Sequence, residues 1–144
     1  MVPAIILGSD ESIPDSEFTL FSDFLANFLK GLAYEAVNSV SGQKFSAKEE
    51  KFLDSVKVYS LAQCTPDLST FDCNTCLQGA ISSIGNCCNR KRGARALLPS
   101  CNFRYEFYPF YNVSAVSTQP KFTSPSSGIK YQHNSCNNDL LLGF

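Results

Sequence analysis

No window of this 144-residue chain approaches the roughly 18 consecutive apolar residues that a membrane-spanning helix requires. The opening residues do not read as a secretion signal. The opening MVPAIILGSDES has no basic residue ahead of its short apolar run, Val2 to Leu7 with Pro3 inside it, and no convincing cleavage site. Charge of one sign is missing: 12 basic and 13 acidic residues leave a formal net charge of -1, which removes bulk attraction to nucleic acid or an anionic membrane. Histidine is nearly absent. His133, the only one, stands in a polar C-terminal stretch where a solvated surface position is expected, so a cysteine nucleophile would have no base inside the folded part. There is no Gly-rich phosphate loop, no HRD and no DFG, which excludes phosphoryl transfer of the kinase type, and no internal repeat of useful length.

What is present has the composition of one globular domain, with 44% apolar and 17% charged residues. Seven cysteines are more than a reduced cytosolic protein usually carries without a metal or a catalytic reason, so an oxidising, extracellular compartment leads. Cysteine richness without a signal peptide suggests a fragment of a longer secreted chain or a truncated gene model.

From Phe18 the residues Phe21, Phe24, Leu25, Phe28, Leu29, Leu32 and Ala36 keep the three-four spacing of one helical face, predicting a helix over about 16–39 with Asp15 and Ser16 placed to cap it. Its phenylalanines are expected in the core. After the SGQKF turn, Val56, Val58, Ser60 and Ala62 alternate with Lys57, Tyr59 and Leu61 as in a strand. Ser69, with Asp72 three residues on, opens a second helix to Ile84, on which Leu77, Ala80, Ile81 and Ile84 share a face. In ARALLPSCNFRYEFYPFYN, Phe103, Tyr105 and Phe107 fall on one face, and Arg104, Glu106, Tyr108 and Phe110 on the other, as in one or two antiparallel strands. Beyond Asn112 the Ser, Thr, Pro and Asn content reads as a linker or tail.

The stretch CTPDLSTFDCNTCL holds three cysteines, and three chemistries compete for them. Zinc would need Cys87-Cys88 to complete the CNTC half-site, and adjacent cysteines converge poorly on one tetrahedral ion. A thioredoxin-like pair would want a lowered thiol pKa, yet Cys73 follows the acidic Asp72 and the βαβ context is absent. Disulfides are the remaining reading, with partners that spacing does not assign.

The segment YSLAQCTPDLSTFDCNTCLQGAI, with its C-x8-C-x2-C motif, and CCNRKRGARALLPSCNFRYEFYPFY resemble the ginkbilobin-type, or stress-antifungal, domain of plant cysteine-rich receptor-like kinases and cysteine-rich repeat secretory proteins. The similarity covers about residues 12–111, leaving 1–11 as an N-terminal remnant and 112–144 as a tail. It looks most like the second of two tandem ectodomain copies. The resemblance implies an α+β fold, two helices packed on a curved antiparallel sheet and stapled by disulfides, with the N-terminal strand missing. It also implies pairing of Cys64 with Cys73 and of Cys76 with Cys101. The family's third bridge joins the position of Cys88 to an N-terminal cysteine, and no cysteine precedes Cys64 here. Cys87, Cys88 and Cys136 are therefore expected to be unpaired or repartnered.

Some members of the family bind mannose through an Asn, an Arg and a Glu; Arg95 and Glu106 match the last two, and the Asn has no counterpart. An Arg95–Glu106 cross-strand ion pair is the plainer expectation for those side chains. Arg90, Lys91, Arg92 and Arg95 form a basic cluster expected to be solvated. Asn112, in NVS, is a glycosylation acceptor sequon. The resulting expectation is a noncatalytic extracellular recognition module, part of a receptor-like kinase ectodomain in stress or defence signalling. It would bind a carbohydrate or an extracellular protein and need neither metal nor cofactor. The alternative is a secreted antifungal mannose-binding protein.

Overall fold

The computed structural model describes residues 4–40, 42–115 and 131–132. One antiparallel sheet contains β1 (Ile5–Ser9), β2 (Phe45–Leu53), β3 (Val56–Cys64), β4 (Ala94–Leu97), β5 (Cys101–Glu106) and β6 (Tyr131–Gln132), in the order β2-β3-β5-β4-β1-β6. Two helices, α1 (Phe18–Val37) and α2 (Thr70–Cys87), pack on one face of it.

Helix α1 buries Phe21, Leu25, Phe28, Leu29, Leu32, Ala33 and Ala36, the side chains that the three-four spacing brings to one face. Each of the larger side chains among them contributes on the order of 1.5–3 kcal/mol on burial. Opposite them, the alternation of the strands turns Val58, Ser60 and Ala62 of β3, and Phe103 and Tyr105 of β5, towards the helices. Phe21 is the hub, with its ring 5.3 Å from Phe52, 5.5 Å from Phe107 and 6.2 Å from Tyr105.

The helix starts differ in kind. Ser69 caps α2 through its hydroxyl, which accepts the Asp72 N–H at 3.0 Å, as its spacing predicts. The expected Asp15/Ser16 cap of α1 does not form: Asp15–Glu17 wind a 3-10 turn, and no side chain caps the helix. Asp15 is instead held by Arg90 Nη1 at 2.7 Å.

Three strands lie outside the elements that the sequence pattern predicts. β2, Lys- and Glu-rich, lies at the sheet edge, where charged side chains suit a strand paired on one side only. The N-terminal strand, expected to be missing, is present as β1, with Leu7 opposite Arg95 and Gly8 opposite Ala94. Backbone pairing needs no particular side chains, and Ile6 anchors the strand by full burial in the core. Within the segment read as a tail, Tyr131 and Gln132 pair with Ser9 and Gly8.

Cys64 is bonded to Cys73 and Cys76 to Cys101. Cys64 and Cys101 are opposite residues of β3 and β5, yet each bonds to the first turns of α2 rather than to the other. Both bridges thus fasten the start of α2 to one end of the central strand pair. In the chain-entropy view the shorter loop contributes about 2.7 kcal/mol and the longer about 3.5 kcal/mol.

Candidate functional site

The sheet face away from the helices carries Arg95 on β4, Arg104 and Glu106 on β5, and Tyr59 and Leu61 on β3. A solvated polar face would be usual for such a sheet. Here Glu106 is fully buried and Arg104 only 7% exposed. After β5 the chain brings an aromatic run back over this face. The Arg104 guanidinium lies 4.2 Å from the Phe110 ring centroid, and the Tyr111 ring lies 6.4 Å from that of Tyr59.

Arg104 holds the cluster together. Its Nε donates to Glu106 Oε2 at 2.8 Å and its Nη2 to the Tyr108 hydroxyl at 2.9 Å. Glu106 therefore takes its ion pair from its own strand rather than across from Arg95. The charge of Arg95 still acts on Glu106, from the neighbouring position on the same face, since Arg95 stands opposite Arg104 in the register. The second carboxylate oxygen, Oε1, is buried with no hydrogen-bond partner among the described residues, and lies against Gly93 where any side chain would have to project.

Burial pushes the Glu106 carboxyl up to about 7, while the hydrogen bond and charge of Arg104, and the charge of Arg95, pull it down. Arg95 is lowered by burial and by the like charge of Arg104, with Glu106 opposing. Tyr108 is raised, chiefly by burial. An ionisable knot centred on Arg104 in a low-dielectric setting is the arrangement made, with Glu106 Oε2 and the Tyr108 hydroxyl as its hydrogen-bonded members.

The basic cluster is not simply solvated. Arg90 lies 4.0 Å over the Phe18 ring besides pairing with Asp15, while Arg92 lies 4.3 Å over Phe107 and 3.9 Å from Glu11. The backbone joins in: Ile13 N–H donates to Arg90 O, Arg92 N–H to Glu11 O and Ser9 N–H to Gly93 O. The loop thereby ties the N-terminal segment to the end of α2, in the neighbourhood of Cys88.

Cys88 is buried and disulfide-bonded. Cys87 Sγ lies 3.2 Å from Cys88 Sγ and 3.2 Å from the Ser83 carbonyl. Cys136 and His133 lie outside the described residues. Among the described residues no helix is long and apolar enough to cross a membrane. An open cleft of about 700 Å³ runs between α1 and α2 and is lined by Tyr34, Phe71, Asn74 and Gln78 among others.

Residues 10–108 match the family model described as salt stress response/antifungal. The chain belongs to this family. It is 37% identical over 127 residues to cysteine-rich receptor-like protein kinase 25 of Arabidopsis thaliana, covering 88% of this chain and 18% of that protein. To the antimicrobial ginkbilobin-2-like protein of Castanea crenata it is 47% identical over 96 residues, 66% of this chain and 39% of that protein. The tandem DUF26 ectodomain of an Arabidopsis thaliana cysteine-rich receptor-like protein shares the fold, with a TM-score of 0.63 at 21% identity over 78% of this chain and 53% of that one. This chain therefore spans well under two thirds of each of these proteins. The stress-antifungal domain is a noncatalytic, disulfide-bonded module of the extracellular kind.

Proposed function

We propose that this stress-antifungal domain serves as the recognition part of a cysteine-rich receptor-like kinase ectodomain, in stress or defence signalling. The observation that supports this best is the likeness to receptor kinase 25 over 88% of this chain, which accounts for only 18% of the kinase. Recognition would be by contact with an extracellular protein or a carbohydrate. Sequencing the full transcript tests the receptor reading: a downstream membrane span followed by a kinase supports it, and a secreted product ending without either rejects it.

The alternative, a secreted antifungal mannose-binding protein, draws support from the ginkbilobin-2-like relative and from the match of Arg95 and Glu106 to sugar-contacting positions. The committed state of Glu106 weighs against it, because Oε2 is already taken by Arg104 and the side chain has no exposure. Binding on a mannose-bearing glycan array that is lost in both Arg95→Ala and Glu106→Ala would favour the lectin reading; no binding by the folded wild type would remove it.

A further inference from the structure

The sequence holds a single Asn-X-Ser/Thr triplet with X other than Pro, Asn112-Val113-Ser114. All three residues are exposed, directly after the aromatic run that covers the helix-free face. The Ser114 hydroxyl donates to Asn112 Oδ1 at 2.7 Å and the Ser114 backbone N–H donates to the same oxygen at 3.1 Å. Both contacts fall on the carbonyl side of the amide. They polarise it and fix its plane, and they use neither of the Nδ2 hydrogens, the atoms at which an asparagine-linked glycan is attached.

We propose that Asn112 is an N-glycosylation acceptor, so that the domain carries an oligosaccharide at the border of its helix-free face. In the step, Asn112 Nδ2 forms a bond to C1 of an oligosaccharide donated by a lipid-linked pyrophosphate. The C1–O bond to phosphate breaks, the lipid pyrophosphate leaves, and Nδ2 gives up one proton. The Ser114 hydroxyl positions the amide and is not consumed. Tyr111 is anchored on Tyr59 immediately before the acceptor, so the sugar would extend from the Tyr59 side of the sheet. The helix-free face would then be partly screened, and the α1/α2 side would stay bare.

The proposal rests on the extracellular reading, and the test separates the two. The chain is expressed in a eukaryotic secretory host behind a heterologous leader and examined by gel mobility before and after endoglycosidase digestion, with intact mass as a second readout. The expected result is one endoglycosidase-sensitive step for wild type, lost in Asn112→Gln and Ser114→Ala and kept in Ser114→Thr. A folded, secreted wild-type chain with no such step, or a step that survives Asn112→Gln, overturns the site. Modification behind the leader combined with an unmodified native protein in its own tissue supports acceptor competence and rejects the extracellular reading instead.

Discussion

Arg104 Nε donates to Glu106 Oε2 at 2.8 Å along one strand, and both side chains are at most 9% exposed. Two residues apart on a strand they share a face, and the aromatic run after β5 brings Phe110 and Tyr108 onto the pair. Removing one partner of a buried pair leaves an uncompensated charge, which costs about 3–5 kcal/mol. Arg104→Met should therefore lower unfolding stability by that order at pH 8, where Glu106 is ionised, with a smaller loss for Arg104→Met/Glu106→Gln. Urea denaturation of the three proteins measures it, and equal losses in the single and double variants would remove the pair from the account.

The pH dependence has a definite sign. Folding raises Glu106 from an ordinary 4.5 to about 7, so the native state holds this proton more tightly than the unfolded chain does. The resulting stabilisation is fully present below about 4.5 and is lost as pH rises through about 7. Stability should thus fall between pH 5 and 8 in wild type, and more gently in Glu106→Gln. Thermal melts across that range decide it, and parallel profiles would show that Glu106 is not the group responsible. Arg95, Arg104 and Tyr108 all face the carboxyl, so the comparison with Glu106→Gln is what isolates it.

Gly93 is needed for a close approach. A Cβ there would collide with the Glu106 carboxylate and stand 3.3 Å from the Tyr105 carbonyl. The carboxylate is buried and tied to Arg104, so it yields poorly. Gly93→Ala should cost about 1–3 kcal/mol, the range for overpacking a dense interior. A loss below the error of chemical denaturation would mean that the Glu106 side chain relocates freely.

Helix α2 offers a surface test. Ser69→Ala deletes the acceptor of the Asp72 N–H and should cost about 1 kcal/mol, while Ser69→Asp should restore most of it. Amide exchange at Asp72 and Cys73 reports the change locally.

These positions differ in how far the sequence reveals them. The face of α1, the Ser69 cap and the two-residue alternation of β3 and β5 are local patterns, and they are legible because one element's own spacing carries them. β2 carries no such local pattern, because the consecutive charges Lys48, Glu49, Glu50 and Lys51 interrupt any apolar alternation; only the pairing of Lys48 opposite Ser60 and Glu49 opposite Tyr59 makes it a strand. β1 escaped for a related reason, since Ile5–Ser9 is strand through its pairing with the distant β4 and β6. At the candidate site, Arg95 and Glu106 were reached through family likeness, whereas Arg104, which holds Glu106, was not. Its outward position on β5 looks solvent-facing until the chain from Phe107 to Tyr111 folds back over it, and no local signal encodes that return. The basic loop misled in the same way, because Glu11 and Asp15, which neutralise it, are about 75–80 residues away.

The bridges that fasten the start of α2 should differ in a way that tests how they act. Cys76–Cys101 closes a separation of 25 residues and Cys64–Cys73 one of 9. If the unfolded chain is where they act, Cys76→Ser/Cys101→Ser should cost about 3.5 kcal/mol against about 2.7 for Cys64→Ser/Cys73→Ser. The denaturant slope should also rise more in the first, because a less constrained unfolded chain exposes more surface. Paired urea titrations measure both quantities. The opposite ranking, with unchanged slopes, would place the effect in native packing. Cys64 and Cys73 are the more deeply buried pair, at 1% and 0% exposure, so their serine replacements would then leave two hydroxyls in the core beneath α2.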